Sequence, residues 1–265
     1  DHPDLVRDVH TTYFETGATV ATANTYAVLR DRLRRVGIEE HFETLLSTAM
    51  STAGAARDAA GHGRVAAALG PLNASYRPDI FPPADEAAEV YGEIVAHVKE
   101  AADIFLIETV TSVEHAEGAL RATDGQGKPV WLAMSTDDFD GTIFRSGEPL
   151  TDVAAVVANH QVDAVLLNCS RPEVVADGLE IIKTFAKPFG AYANGFTKIS
   201  DGFKTEFPTV DTLTERTDLG PEPYADFAMG WVGQGASIVG GCCEVGPAHI
   251  AELARQLRDA GHIIV

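Results

Sequence analysis

Short apolar runs of strand length recur along the whole chain and alternate with longer segments whose apolar residues follow a helical period. The runs are almost uniformly hydrophobic, as expected for strands that are buried on both faces. Seven strands are predicted: Thr19–Asn24, Arg64–Leu69, Ile104–Glu108, Val130–Ser135, Ala164–Cys169, Phe189–Asn194 and Ser237–Cys242.

Segments of helical period fill the intervals between these strands. Near-continuous apolar strands that alternate with helices indicate a parallel sheet covered on both faces. The predicted helices are Leu5–Thr16, His41–Ala60, Ala84–Ala101, Ser112–Ala122, Leu150–Asn159, Pro172–Phe185, Tyr224–Gln234 and Pro247–Asp259. The least regular stretch, Thr197–Pro223, is long for a simple connection and is therefore expected to be functional.

Two folds fit this pattern, a barrel and an open sheet. A closed (β/α)8 TIM barrel needs eight strands. Here seven strands are followed by seven helices and one further helix precedes them all, as expected of a barrel that is entered in its first helical connection. We therefore predict an α/β fold, a (β/α)8 TIM barrel that lacks its first strand, with residues 1–265 as one N-terminally incomplete domain. Thr19–Asn24 and Ser237–Cys242 should flank the gap without pairing. The alternative is an open doubly wound sheet, but no GxGxxG motif follows a strand.

Polar residues or thiols close six of the seven predicted strands. In a TIM barrel the chemistry lies at the carboxyl ends of the strands, so these side chains are candidates for a site. Glu108 is the most informative, because it ends the run Asp103-Ile104-Phe105-Leu106-Ile107. A carboxylate at the barrel mouth can bind a substrate ammonium, and a structural ion pair is the alternative interpretation.

The three cysteines also lie at strand ends. Cys169 closes the fifth predicted strand, and Cys242 and Cys243 stand side by side at the end of the seventh. Three converging thiolates would make a zinc site with an open fourth position. Core packing or a vicinal disulfide are the alternatives. Since neighbouring strand residues point to opposite faces, both Cys242 and Cys243 can reach one metal only where the backbone is irregular.

Composition excludes several classes of partner. The formal charge of −19 disfavours nucleic acid, which is bound through clustered Lys and Arg. No apolar run is long enough to span a membrane, and the N-terminus has no signal-peptide pattern. Few cysteines in an odd number suggest a reducing, cytoplasmic setting.

Several motifs together resemble the homocysteine S-methyltransferase family. The family closes its last strand with Gly-Gly-Cys-Cys and opens its last helix with Pro-x-His-Ile, as residues 240–243 and 247–250 do here. Asn168-Cys169 followed by Pro172-Glu173 is similar to the family's Asn-Cys-x-x-Pro-Glu. Further matches are Thr22-Ala23-Asn24-Thr25-Tyr26, Leu106-Ile107-Glu108-Thr109 and Ser146-Gly147-Glu148-Pro149-Leu150.

The resemblance implies a zinc ion held by Cys169, Cys242 and Cys243, with the homocysteine thiolate as fourth ligand. It also implies that Glu108 binds the homocysteine ammonium and that Asn24 and Asn194 line the site. The reaction implied is methyl transfer from a cationic donor to homocysteine, which gives methionine.

The sequence leaves the identity of the methyl donor open. S-methylmethionine or S-adenosylmethionine is favoured, and betaine or a methyl-corrinoid protein is an alternative. The family's Asp-Gly-Gly-x-Gly first strand is missing from this chain, so a non-catalytic zinc- or thiol-binding barrel is a further alternative. The natural protein is expected to have a longer N-terminus.

Overall fold

The computed structural model describes residues 2–205 and 212–265. Within them, seven parallel strands form one sheet in simple chain order, β1-β2-β3-β4-β5-β6-β7. All seven predicted strands are present, with ends that shift by one or two residues. The strands are β1 Val20–Ala23, β2 Arg64–Leu69, β3 Ile104–Val110, β4 Val130–Met134, β5 Ala164–Asn168, β6 Phe189–Ala193 and β7 Ile238–Gly241.

Helices follow the strands as predicted, with one addition. The short helix Arg30–Arg35 was not predicted, because its six residues include one apolar side chain, Leu33, and show no periodicity. The predicted helix Leu150–Asn159 begins as a 3-10 turn at Leu150–Val153. The helices are α1 Pro3–Thr16, α2 Arg30–Arg35, α3 Phe42–Ala60, α4 Ala84–Val98, α5 Val113–Thr123, α6 Ala154–Asn159, α7 Pro172–Ile182, α8 Pro221–Gly233 and α9 Pro247–Asp259.

The long irregular segment predicted over Thr197–Pro223 is observed in part. Its described residues include a 3-10 turn, Asp201–Phe203, and α8 begins three residues earlier than expected, at Pro221. Residues 206–211 of this segment lie outside the described residues. No helix in the described ranges is long and apolar enough to cross a membrane.

Apolar side chains pack on both faces of the curled sheet. The large cluster lies between the strands and the helices and includes Phe105, Ile107 and Leu167. A smaller cluster fills the concave face with alternate residues of the same strands, among them Leu106 and Leu166. This two-sided burial explains why the strands are almost uniformly apolar, and it is the arrangement of a TIM-type barrel.

The sheet does not close. Strand order ends at β1 and β7, and these two edge strands are not paired with each other in the described structure. All four residues of β7 are partly exposed, and Thr22 on β1 is exposed. The closed eight-stranded barrel is therefore not formed. The fold is a curled, TIM-barrel-like sheet with one strand missing between β1 and β7, as the strand count predicted.

The helical layer, in contrast, passes over this open seam. Helix α1 packs against α3 on one side and α9 on the other. The Tyr13 hydroxyl on α1 donates a 3.0 Å hydrogen bond to the carbonyl of Val245, just after β7. The seam is consequently open at the level of the strands but bridged at the level of the helices.

Candidate functional site

Two of the three predicted metal ligands meet at the carboxyl end of the sheet. Cys169 directly follows β5 and Cys242 directly follows β7, and their Sγ atoms lie 2.8 Å apart. Cys169 is buried, Cys242 is half-buried and Cys243 is exposed, and all three are free thiols. The structure thus brings together sulfurs that are 73 positions apart in sequence.

The backbone after β7 is irregular, as two adjacent ligands require. The Cys242 amide still donates to the Ala193 carbonyl, whereas the Cys243 carbonyl accepts from the Gly195 amide. Glu244 then adopts φ 62°, in the left-handed region. A Cβ on Gly241 would lie 2.0 Å from Cγ1 of Val245, so only glycine fits immediately before the cysteine pair.

Two polar side chains hydrogen-bond the Cys169 sulfur. The Thr109 hydroxyl donates to Sγ at 3.3 Å and the Asn168 amide group donates at 3.4 Å. The Asn168 side-chain oxygen accepts from the Thr109 backbone amide at 3.0 Å. This bond holds Thr109 at φ 59°, an unfavourable conformation for a β-branched residue that costs about 1–3 kcal/mol. The hydrogen bonds with Cys242 and Thr109 lower the pKa of the Cys169 thiol, but the hydrogen bond with Cys243 and burial outweigh them and raise it to about 12. A bound cation would favour the thiolate, the form that binds metal.

The thiols perturb one another's protonation. Hydrogen bonds from Cys169 and Cys242 lower the pKa of the Cys243 thiol to about 4. The hydrogen bond to Cys169, followed by that to Cys243 and by burial, raises the pKa of Cys242 well above its ordinary value. One thiolate stabilised by two thiols is therefore the favoured state, and further ionisation needs a compensating cation.

Three cysteine sulfurs are suitable ligands for zinc, but Cys169 and Cys242 lie closer together than zinc would hold them. Tetrahedral zinc with bonds of about 2.3 Å would separate two sulfurs by about 3.8 Å. Cys169 and Cys242 would have to move apart by about 1 Å to reach that separation. In residues 2–205 and 212–265, no group of three or more His, Cys, Asp or Glu side chains has the arrangement of a metal site. Zinc binding therefore stays a prediction.

Glu108 lies inside the curled sheet. It occupies the irregular part of β3, where the register with β4 shifts between Ile107 and Val110. Glu108 is 8% exposed, and the Tyr192 hydroxyl donates a hydrogen bond to its Oε2 atom at 3.2 Å. Burial, and then the electrostatic interaction with Cys169, raises the pKa of Glu108 to about 8. The side chain faces inward, as expected, and its binding of an ammonium group stays a prediction.

The two predicted asparagines differ in setting. Asn24 follows β1 at the open seam and is exposed. Asn194 follows β6 and is 2% exposed, and its Oδ1 atom is buried with no hydrogen-bond partner among the described residues. An unpaired buried oxygen costs about 1–3 kcal/mol. Asn194 Oδ1 is therefore a candidate acceptor for a ligand.

Sequence reasoning missed a buried ion pair beside the sulfurs. Arg145 and Asp138, both in the segment after β4, have side chains 7% and 9% exposed and are joined at 2.8 Å. Arg145 also donates to the Cys169 carbonyl at 3.0 Å, and its guanidinium lies 4.8 Å from the centroid of the Tyr76 ring. Tyr76 packs in one cluster with Cys169 and Cys242. No period or motif marks these residues, because the tertiary fold alone brings them to the site.

The chain matches the family model described as homocysteine S-methyltransferase over residues 1–257. The chain belongs to the homocysteine S-methyltransferase family. Homocysteine S-methyltransferase YbgG of Bacillus subtilis is 26% identical over 98% of this chain and 85% of its own length. Homocysteine S-methyltransferase 4 of Zea mays is 28% identical over 97% of this chain and 81% of its own length.

Solved structures agree with this family assignment. The metallated form of the homocysteine methyltransferase MmuM from Escherichia coli superimposes with a TM-score of 0.79 at 25% identity, covering 97% of this chain and 85% of that one. Membership in the homocysteine S-methyltransferase family makes this chain a methyltransferase and confirms the resemblance inferred from the cysteine motifs.

The hydroxyl of Thr109 provides a first test of the sulfur cluster. Thr109→Val keeps the branched shape and removes the donor to Cys169, so we expect about 10- to 100-fold weaker zinc binding, the usual effect of losing an outer-shell partner. Thr109→Ser keeps the hydroxyl and is the matched control. Competition with a chromophoric chelator measures both variants, and a valine variant with the affinity of the parent chain would contradict this role.

Proposed function

We propose that this chain transfers a methyl group from a sulfonium donor, S-methylmethionine or S-adenosylmethionine, to the thiolate of homocysteine. The meeting of the Cys169 and Cys242 sulfurs at the carboxyl end of the sheet carries the proposal. This is the end at which TIM-type barrels hold their active sites, and the family model covers nearly the whole chain.

Cys169, Cys242 and Cys243 would hold the zinc ion. When bound, zinc would supply Lewis acidity that lowers the pKa of the homocysteine thiol, so that a thiolate exists at neutral pH. Thr109 and Asn168 would orient the Cys169 sulfur toward the ion through their hydrogen bonds. The irregular turn from Gly241 to Glu244 would let adjacent cysteines face one point.

Glu108 would bind the ammonium group of homocysteine. A buried carboxylate is costly without a partner, and the raised pKa of Glu108 reflects this cost. The homocysteine ammonium would stabilise the ionised carboxylate of Glu108, and the carboxylate would in turn hold the ammonium in position. Asn194, with its unpaired oxygen, and Asn24 would line the remainder of the homocysteine site.

Methyl transfer in this site needs no oxidant or reductant. The homocysteine thiol releases its proton to solvent, and a sulfur lone pair of the resulting thiolate forms the new S–CH3 bond. The C–S bond of the donor breaks, and its electron pair stays on the donor sulfur, which becomes a neutral thioether. The products are methionine and the demethylated donor.

A donor panel tests this function directly. Homocysteine is incubated with S-methylmethionine, S-adenosylmethionine, betaine or a methyl-corrinoid protein, methionine is quantified and the zinc content of the chain is measured. We expect methionine from the sulfonium donors alone and about one zinc per chain. Methionine from betaine or the corrinoid protein alone would reassign the donor, and zinc without methionine from any donor would support a binding protein.

A further inference from the structure

A cavity of about 690 Å³ opens beside the sulfur cluster. It lies one side chain away from the sulfurs, because Tyr76 lines it and also packs with Cys169 and Cys242. Its volume is within the range of small-molecule sites. Its wall carries both charge signs in equal number, from Arg77, Arg145, Lys204, Asp79, Glu114 and Glu148.

Arg145 offers one free donor to this cavity. Its Nε donates to the Ser135 hydroxyl at 2.7 Å, and its Nη2 donates to Asp138 and to the Cys169 carbonyl. These bonds hold a side chain that is 7% exposed. Nη1, which carries two N–H groups, has no hydrogen bond to any residue in the described ranges, and Arg145 lines the cavity.

Two carboxylates of the cavity wall, those of Glu148 and Glu114, likewise use only part of their hydrogen-bonding capacity. One oxygen of Glu148 accepts from the Ser146 hydroxyl at 2.5 Å and from the Val113 amide at 3.3 Å. One oxygen of Glu114 accepts from the Ala84 amide at 2.5 Å. The second oxygen of each has no hydrogen bond to a residue that the structure describes. The wall thus offers a fixed donor and fixed acceptors together.

We infer that this cavity binds the α-amino acid end of the methyl donor, with the donor carboxylate on Arg145 Nη1 and its ammonium on Glu148 or Glu114. The inference rests on the proposed function and specifies how its donor is selected. A zwitterionic end group matches a wall of both charge signs, and guanidinium–carboxylate hydrogen bonds are among the strong ones. The sulfonium end would then extend past Tyr76 toward the sulfurs.

Homocysteine has the same end group, but the geometry favours the donor. Glu108 lies inside the curled sheet, away from the cavity wall, and supplies a carboxylate for the homocysteine ammonium. Two separate carboxylate groups would therefore receive two separate amino acid ends. A donor without a carboxylate would lose the contact with Arg145, which makes Arg145 a specificity-determining residue.

The double variant Arg145→Gln/Asp138→Asn tests this assignment. It removes the guanidinium without leaving a buried charge unpaired, because the amide introduced at position 138 can still accept from the Ile199 backbone and donate to the amide introduced at position 145. The kcat/KM ratio of S-methylmethionine to (3-aminopropyl)dimethylsulfonium, the same donor without its carboxylate, is measured. We expect the ratio to fall about 10- to 100-fold, with the KM for homocysteine unchanged.

The pair Arg57 and Asp103 supplies the matched control. These side chains are joined at 2.9 Å, and Asp103 accepts from the Val65 amide at the opposite end of the sheet. Arg57→Gln/Asp103→Asn makes the same chemical change there and should leave the donor ratio unaltered. An equal fall in the control, or an unaltered ratio in the Arg145 variant, would overturn the inference, as would a rise confined to the KM for homocysteine.

Equilibrium binding separates this inference from the proposed function. Calorimetry of S-methylmethionine with the metal-free chain should show about 10- to 100-fold weaker binding to the Arg145→Gln/Asp138→Asn variant than to the parent. Methionine formation by the parent with an unchanged donor affinity in the variant overturns the cavity alone. A parent chain that forms no methionine with any donor overturns the proposed function, and the calorimetry still decides the role of Arg145.

Discussion

Replacing Cys242 with alanine is expected to abolish zinc retention and to lower methionine formation by more than the 10- to 100-fold typical of outer-shell substitutions. Cys242 supplies one of the two sulfurs that meet at 2.8 Å, and two remaining thiols form an incomplete site. The fold should survive, because Cys242 is half-buried at a strand end and does not belong to the large apolar cluster between the strands and the helices. Metal analysis, circular dichroism and turnover are measured on the purified variant.

Glu244→Asn is the control for this prediction. Glu244 is exposed, lies two residues after Cys242 and has φ 62°, a conformation that asparagine accepts. This variant should retain zinc and turnover. Full turnover in the Cys242 variant would exclude a catalytic role for the sulfur cluster, whereas global unfolding would show that Cys242 serves the core.

Glu108→Gln is expected to raise the KM for homocysteine by about 10- to 100-fold, the loss of one charge-assisted hydrogen bond, with little effect on zinc binding. The shape is kept and the charge is removed. Steady-state kinetics and zinc competition distinguish the two effects. Glu89→Gln, an exposed site on α4, is the control, and unchanged homocysteine kinetics in the Glu108 variant would contradict ammonium binding.

The same substitution should alter the pH dependence of stability. Burial raises the pKa of Glu108 from the ordinary 4.5 to about 8 in the folded chain, so the folded state retains a proton that the unfolded state loses. This contribution is full below pH 4.5 and is lost as pH rises through 8, by up to roughly 5 kcal/mol. Denaturant unfolding of the metal-free chain should therefore show a shallower fall in stability over this window for Glu108→Gln.

Local pattern was sufficient to predict the framework. Uniformly apolar runs indicated strands buried on both faces, and the count of seven predicted the open seam between β1 and β7. Strand-end positions placed Cys169, Cys242 and Glu108 at one edge of the sheet, because parallel strands bring their carboxyl ends together. The cysteine motifs then identified the family.

The detailed geometry of the site depends on tertiary contacts, which the periodicity of apolar residues along the chain does not indicate. Arg145 reaches Asp138, Ser135 and the Cys169 carbonyl through a segment of irregular backbone. The left-handed conformation of Thr109 is set by Asn168, which is 59 positions away in sequence. Such interactions exist only once the strands are assembled, so the buried ion pair and the bonds to sulfur could not be predicted from the chain alone.

The cysteines follow two different strands, so a metal ion bound to all of them would resist local unfolding of either strand. Cys169 follows an inner strand that is paired on both sides, whereas Cys242 follows β7, an edge strand paired on one side. Fraying of β7 would carry Cys242 and Cys243 away together while Cys169 stays in place. A bound ion would oppose that fraying, so the amide protons of β7 should exchange with deuterium more slowly when zinc is added, while those of β3 and β4 keep their rates.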